Sequence, residues 1–149
     1  MRLAFAFAAF SLTTADPALA VEVRDCDWAA SVQTLVEPWG NNTKSFYGGQ
    51  VRLALIDTGG EPVCCSAQLL VLIPDNSEGA GGRICKLVSD KKNLGFESIA
   101  FAKITTRYDA GRGLLISFAF TRYVDGLKHT DGLGRVRVNV ERGTVTPEQ

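Results

Sequence analysis

The sequence predicts a mainly β protein, either an antiparallel β-sandwich or a half-open barrel, with one short N-terminal amphipathic helix. First, turn-forming pairs such as Gly-Gly, Asn-Asn and Asp-Gly separate segments that are rich in Val, Leu, Ile and Phe. Second, these segments recur at intervals of roughly ten residues, as short antiparallel strands do. Third, helical spacing of apolar residues marks one segment near the N-terminus.

Residues 1–20 precede this pattern and have the features of a secretory signal peptide. Met1 and Arg2 form a short positive start, residues 3–12 are an apolar run, and Ala18-Leu19-Ala20 matches an A-x-A cleavage site. The run is about half the roughly 20 residues that a membrane span requires. Cleavage here would leave no N-terminal cysteine to accept a lipid. We therefore expect a soluble periplasmic or secreted protein with no membrane anchor after cleavage.

The rest of the chain has the usual size of one domain. The sequence has 149 residues, and we assign 21–142 to a single β-sandwich domain and 143–149 to a flexible C-terminal tail. Its 16 basic residues balance its 16 acidic ones, and they are scattered rather than gathered into a stripe. Because phosphate binding needs clustered positive charge, we expect no nucleic-acid partner.

The helix is predicted by four apolar residues at helical spacing, which are Trp28, Val32, Leu35 and Val36. Asp25 or Asp27 is available as an N-cap, and Pro38 and Gly40 are stop signals. After this helix the sequence changes to strands and turns.

Three strands are predicted in the first half and middle of the chain. Residues 51–57 alternate between two faces, as a half-buried strand does. Residues 68–73 are apolar throughout, which indicates a central strand covered on both faces. Residues 83–88 follow as its hairpin partner across a loop at 75–82.

Three more strands are predicted towards the C-terminus. Residues 98–108 and 114–124 form a long hairpin around a Gly-rich turn at 109–113. In residues 135–141, valines that face inward alternate with polar residues that we expect to face water, namely Arg135, Arg137, Asn139 and Glu141.

The chain has four cysteines, Cys26, Cys64, Cys65 and Cys85. Four cysteines can form two disulfides in three different ways. The predicted hairpin places Cys85 opposite Val71, about 20 Å along the strand from Cys64 and Cys65. A disulfide joins Cα atoms within about 7 Å. A Cys64–Cys65 bridge would need a cis or strongly twisted peptide, and adjacent strand residues point to opposite faces. We therefore predict a Cys26–Cys85 disulfide, with one buried and one surface thiol at the adjacent pair.

Catalytic and metal-binding chemistry has little support in the sequence, and we assign no catalytic residue, metal or cofactor. His129 is the single histidine, and we expect it in an exposed loop at 128–132. A hydrolase would have to combine it with Asp131 and a nucleophile such as Ser117, but no G-x-S-x-G turn surrounds any serine. Zinc spacing of the C-x-x-C type is also absent. Enzymatic activity is therefore uncertain and not favoured.

Aromatic residues provide the functional hypothesis. Trp39 lies in a polar, turn-rich connection, and Phe46 and Tyr47 follow shortly after it. Exposed aromatic rings on a β-sandwich are platforms for sugar rings or partner side chains. We predict Trp39, Phe46 and Tyr47 as candidate ligand-binding residues, but for Trp39 the favoured expectation is that it folds back over the core.

The segments Val36-Glu37-Pro38-Trp39 and 51–58, together with Cys26 and Cys85, resemble small exported proteins of Gram-negative bacteria that have no assigned activity. The resemblance implies a periplasmic destination and implies no catalytic or binding residues.

These observations predict an exported, non-enzymatic binding or accessory domain whose partner is a protein or a glycan in the periplasm. The first alternative is an inhibitor of a secreted hydrolase, of the lysozyme or protease type, in which a protruding loop such as 75–82 enters the cleft of the enzyme. The second is a hydrolase that uses His129.

Overall fold

The apolar runs form ten strands within the residues that the computed structural model describes, which are 21–60, 64–77, 79, 81–91, 94–124 and 128–149. The predicted signal peptide, residues 1–20, lies outside them. The strands are β1 (Glu22–Asp25), β2 (Thr43–Phe46), β3 (Val51–Asp57), β4 (Ala67–Pro74), β5 (Arg83–Ser89), β6 (Ser98–Ile99), β7 (Thr105–Asp109), β8 (Gly113–Val124), β9 (Lys128–Asn139) and β10 (Thr144–Pro147).

The strands pair into two antiparallel sheets. Sheet A has the order β1-β5-β4-β3-β2, and sheet B has the order β10-β9-β8-β6, with β7 also paired to β8. A main core joins the facing sides of the two sheets, with Leu53 and Val71 from sheet A and Phe118 and Val136 from sheet B. This shared core decides between the two predicted architectures in favour of a sandwich.

Strand β4 is central and covered on both faces, as its continuous apolar sequence predicts. One face contributes to the main core between the sheets. The other contributes Leu70 to a smaller cluster with Ala54, Ile56, Leu87 and Ala29. Ala29 belongs to the N-terminal segment, which therefore covers part of the outer face of sheet A.

The prediction of an N-terminal amphipathic helix is wrong. Its residues form a short 3-10 helix, Val32–Thr34, and Trp28 and Val32 are 73% and 70% exposed. Two constraints oppose a helix here. Cys26 is bonded to Cys85, and the backbone N–H of Val36 donates to the carbonyl of Leu55 in β3. Tertiary contacts of this kind override helix propensity, which is weak for a segment this short.

A short α-helix does form slightly later in the chain. Helix α1 is Trp39–Asn42, a single turn that leads directly into β2. The Thr43 hydroxyl donates to the carbonyl of Trp39 at 2.8 Å, which joins the helix to the strand.

The predicted strand at 98–108 is interrupted, although both of its parts pair with β8 as expected. A 3-10 helix, Phe101–Lys103, separates β6 from β7. Phe101 and Ile104 are both buried in the main core. Residues three apart lie on one side of a 3-10 helix, whereas an uninterrupted strand would place them on opposite faces.

The C-terminal segment, predicted as a flexible tail, forms β10. Thr144–Pro147 pairs with Val136–Asn139 of β9, and Val145 is buried in the main core. Arg137, which was expected to face water, is also buried. Its guanidinium pairs with the carboxylate of Glu148, so the end of the chain supplies both an apolar residue and a countercharge.

The Cys26–Cys85 disulfide is confirmed, with a Cα–Cα distance of 5.4 Å. The expectation of two thiols at the adjacent pair is wrong, because Cys64 and Cys65 are bonded to each other. Their Cα atoms are 3.8 Å apart, which is the spacing of a trans peptide. The prediction assumed strand geometry, but β4 begins only at Ala67, so both cysteines lie in the preceding loop.

The Cys85 register also differs by one residue from the prediction, since Leu72 rather than Val71 lies opposite it. Within the described part of the chain, no helix has the length and apolar character needed to cross a membrane.

Candidate functional site

One end of the sandwich gathers the turns of both sheets. Four connections meet there: 47–50 between β2 and β3, the described residues of the β4–β5 loop (75–77, 79 and 81–82), 110–112 between β7 and β8, and 140–143 between β9 and β10. Antiparallel pairing places every second turn of a sheet at the same end. We call this surface the four-turn end.

Hydrogen bonds between turns hold the four-turn end together. The Asn76 amide donates from Nδ2 to the carbonyl of Val140 at 2.8 Å, which joins the β4–β5 loop of sheet A to the β9–β10 turn of sheet B. Arg83, the first residue of β5, donates from Nη1 to the carbonyl of Gln50 at 2.9 Å, which joins the base of this loop to the β2–β3 turn. Hydrogen bonds therefore link three of the four turns to one another.

Further hydrogen bonds stabilise individual turns. Asp75 Oδ1 accepts hydrogen bonds from the backbone N–H and the hydroxyl of Ser77, and these bonds lower the pKa of Asp75. Asp109 Oδ1 accepts from the backbone N–H groups of Gly111 and Arg112. Asp at these positions is a typical turn residue because its short side chain reaches the backbone two residues ahead.

Two tyrosines stack on each other at this end. Tyr47 follows β2 of sheet A and Tyr108 belongs to β7 of sheet B, and their ring centroids are 5.4 Å apart with an interplanar angle of 17°. Tyr47 is 43% exposed and Tyr108 is 53% exposed, so the stacked pair remains open to solvent. A side-chain hydrogen bond to Tyr47 is the main cause that raises the pKa of Tyr108.

Tyr47 is held in an unusual backbone conformation. Its φ is 53°, and that of Gly48 is 64°. Gly49 also has a positive φ, of 83°, and the four-residue connection is closed by hydrogen bonds from Gly49 N–H to the Phe46 carbonyl at 3.1 Å and from Gln50 N–H to the Tyr47 carbonyl at 3.2 Å. Asn, Asp or Gly usually occupies the position of Tyr47, since a bulky residue with positive φ is strained. The turn thus places a large ring where a small residue is expected.

A small cavity lies beside the tyrosine pair. It has a volume of about 30 Å³ and is lined by both tyrosines and by Asn139, Val140 and Glu141, among others. Glu141 also raises the pKa of Tyr108 through its negative charge. A space of this size suits a few water molecules rather than a sugar ring. The exposed rings, rather than an enclosed pocket, are therefore the accessible feature of this end.

An ion-pair cluster fixes the β7–β8 turn next to the tyrosines. Glu148 pairs with Arg137 and, at 3.0 Å, with Arg112 of that turn, while Arg137 donates from Nη1 to the carbonyl of Gly113 at 3.2 Å. The hydrogen bond to Arg137 is the main cause that lowers the pKa of Glu148. The C-terminus thereby supports the turn that follows Tyr108.

The structure separates the three predicted ligand-binding residues. Trp39 lies in α1 before β2 and is 51% exposed, whereas Tyr47 follows β2 at the four-turn end. Phe46 is half-buried and packs against the main core. The exposure of Trp39 contradicts the favoured expectation that it folds back over the core. Of the three residues, Tyr47 is the one placed in the stacked pair.

Tyr108 was missed by the sequence analysis. It directly precedes the Asp109–Gly113 turn, just as Tyr47 directly precedes Gly48 and Gly49. An aromatic residue next to a Gly-rich turn was therefore the available signal. The pairing of the two tyrosines depends on how the sheets face each other, which no local pattern encodes.

His129 lies at the opposite end of the sandwich, in β9 rather than in the predicted loop, because β9 begins at Lys128. Its Nδ1 is 2.6 Å from Glu97 Oε2, and its ring contacts Tyr123 edge-on. Neither neighbour is an activated nucleophile of the Ser or Cys type. Within the described residues, no three His, Cys, Asp or Glu side chains converge into a group that could hold a metal ion.

No protein-family model, curated protein or solved structure matches this chain. The site is therefore interpreted from its own geometry.

Proposed function

We propose that this protein is an exported binding domain that recognises another protein through the four-turn end. The observation that carries the proposal is the solvent-exposed Tyr47–Tyr108 stack, formed by residues from both sheets. Export is supported by the signal-like pattern of residues 1–20 and by the two disulfides, since disulfides persist in oxidising compartments.

The composition of the surface favours a protein partner over a glycan. Tyrosine and arginine are enriched where proteins bind each other, and loops rich in Tyr, Gly, Asn and Ser form antibody-type recognition surfaces. The four-turn end combines such residues, including Tyr47, Asn76, Ser77, Tyr108 and Arg112.

Preorganisation supports the same proposal. Binding costs free energy whenever loops and side chains must become ordered. Here Asn76 and Arg83 already connect three of the four turns, and the two rings already contact each other. A partner would therefore meet a surface that needs little rearrangement.

The test is recovery of partners from periplasmic or extracellular extract with the wild-type protein, Tyr108→Ala and Trp39→Ala. Trp39→Ala is a matched control, because Trp39 is similarly exposed but lies outside the four-turn end. We expect Tyr108→Ala to weaken the recovered complex by at least about tenfold, as for a central aromatic contact, and Trp39→Ala to leave it unchanged. Equal recovery with all three proteins, or loss with Trp39→Ala alone, would contradict the proposal. Recovery of a polysaccharide in place of a protein would do the same.

Inhibition of a secreted hydrolase is a second candidate, favoured by the tethered β4–β5 loop. The loop is closed at its base by the Asp75 N–H, which donates to the Gly82 carbonyl at 3.1 Å, and it is held at its side by Asn76. An inhibitory loop must be rigid to resist rearrangement in the cleft.

Titration against lysozymes and proteases of several classes tests this candidate. Stoichiometric inhibition that weakens in Asn76→Ala is expected, because Asn76 tethers the loop. Full activity of every enzyme at excess protein would exclude inhibition of those classes, while leaving recognition of other proteins testable by the pull-down.

A further inference from the structure

The stacked tyrosines also have the geometry of a covalent modification site. We propose that Tyr47 and Tyr108 form an intramolecular dityrosine crosslink when the protein meets a one-electron oxidant, such as a haem peroxidase supplied with hydrogen peroxide. The crosslink would join the two sheets at the four-turn end. This inference goes beyond the proposed binding function and does not depend on it.

The geometry of the pair favours coupling between these two rings. The rings are nearly parallel, at 17°, with centroids 5.4 Å apart. This stacked arrangement places ring carbons of the two tyrosines next to each other, as the coupling of two ring radicals requires.

Exposure makes both rings accessible to an oxidant. Tyr47 and Tyr108 are 43% and 53% exposed. The third tyrosine of the chain, Tyr123, lies in β8 near the opposite end, where its ring contacts His129. The wild-type chain therefore offers one tyrosine pair in contact and a third tyrosine as an internal reference.

Formation of the crosslink removes two electrons and two protons from the tyrosine pair. Each phenol loses one electron and one proton to give a phenoxyl radical, and the two radicals combine through an ortho carbon of each ring to form one C–C bond. The hydrogen on each bonded ortho carbon then moves to oxygen, which restores both aromatic rings. The two electrons and two protons reduce one hydrogen peroxide to two water molecules.

Such a bond would complement the Cys26–Cys85 disulfide. That disulfide connects the N-terminal segment to β5 within the region of sheet A, whereas the dityrosine would connect sheet A to sheet B. A carbon–carbon bond is also insensitive to the thiols that reduce disulfides. The oxidised protein would therefore keep its two sheets joined under reducing conditions.

The experiment treats the folded protein with peroxidase and hydrogen peroxide, at a concentration low enough to limit collisions between molecules. The expected product is monomeric on a denaturing gel, has the fluorescence of dityrosine and has lost two hydrogen atoms by mass spectrometry. After trypsin digestion, the crosslink should join the peptide 45–52 to the peptide 108–112, because Lys44, Arg52, Arg107 and Arg112 are the flanking cleavage sites.

Conservative variants test the assignment without removing a ring. Tyr47→Phe and Tyr108→Phe should each abolish the intramolecular product, while Tyr123→Phe should form it at the wild-type yield. Thermal unfolding establishes that each variant is folded. Wild-type protein in denaturant is the control for preorganisation, and it should lose the intramolecular product.

A crosslink that persists in Tyr47→Phe or Tyr108→Phe would overturn the proposal. An equal yield from denatured protein, or wild-type products that are exclusively intermolecular, would overturn it as well. Partner binding by the four-turn end is measured separately, so failure of the crosslink would not be mistaken for failure of the binding function.

Discussion

Tyr47 combines a strained backbone with an exposed ring. Its φ of 53° lies in the left-handed region, where a side chain normally costs free energy and glycine does not. The ring stacks on Tyr108, and this contact offsets part of the strain. Strain that persists at an exposed position is a reason to look for a functional role.

Two substitutions at Tyr47 separate the backbone effect from the ring effect. Tyr47→Ala and Tyr47→Gly both remove the ring, but only glycine relieves the left-handed conformation. We expect the glycine variant to be more stable than the alanine variant by about 1 kcal/mol, measured by urea unfolding. Since glycine is ordinarily the less stable choice in ordered structure, an alanine variant of equal or greater stability would show that the strain is absent.

Glu148 contributes to stability through its countercharges. The pKa of its carboxyl is lowered in the folded protein, chiefly by the hydrogen bond to Arg137. Because the pKa of Glu148 is lower in the folded protein than in the unfolded chain, its ionised carboxylate contributes its full stabilisation when the pH is above the unfolded-state pKa. This stabilisation is lost as the pH falls through the folded-state pKa.

Glu148→Gln is therefore expected to destabilise the protein by about 2 kcal/mol at neutral pH, because Arg137 loses a charged partner in a buried position. The difference from wild type should shrink as the pH is lowered through the acidic range. Urea unfolding at a series of pH values measures it. Glu141→Gln, at an exposed residue of the adjacent turn, is the matched control, and an equal effect in both variants would contradict the role of Glu148.

At the scale of elements, sequence periodicity predicted the strands correctly but predicted the wrong structure for the N-terminal segment. The continuous apolar run of β4 and the alternation of β3 and β9 reflect burial on two faces or one, which is a local property of a strand. The segment around Trp28 and Val32 has helical spacing, but the Cys26–Cys85 bond and the contact of Val36 with β3 act over long sequence distances. A short stretch of sequence therefore contains no sign of these two contacts.

The two disulfides differ in the length of chain that they close. Cys26 and Cys85 are separated by 59 residues, and Cys64 and Cys65 are adjacent. In the chain-entropy model, stabilisation grows with the closed loop, so Cys26→Ala with Cys85→Ala should cost about 4 kcal/mol and Cys64→Ala with Cys65→Ala about 1 kcal/mol. Urea unfolding under non-reducing conditions provides both values. Comparable losses would show that chain entropy does not govern the difference.

At the scale of the whole molecule, the two sheets depend on one core. Phe118 of β8 is 1% exposed and contacts Phe96 and Phe120 through its ring. Gly134 lies opposite it in β9, where an added Cβ would be 2.4 Å from the Phe118 ring. The absence of a side chain at Gly134 therefore provides the space that the Phe118 ring occupies.

Gly134→Ala should destabilise the whole sandwich by about 2 kcal/mol, because the buried ring has no room to move away. Phe118→Leu in the same chain should recover part of this loss, which a double-mutant cycle of urea unfolding would quantify. Additive effects of the two substitutions would contradict the close contact. Loss of both sheets in a single transition is expected, since their core is shared.

The sequence by itself determined the β class, the central strand β4, the two main hairpins and the Cys26–Cys85 bond. Each of these depends on periodicity, turn residues or the reach of a disulfide, which act within a strand or a hairpin. Only the tertiary structure decided that Tyr47 meets Tyr108, that Arg137 is buried against Glu148 and that the C-terminus forms β10. These contacts arise from sheet facing and from residues distant along the chain, so their free energy depends on the assembled sandwich.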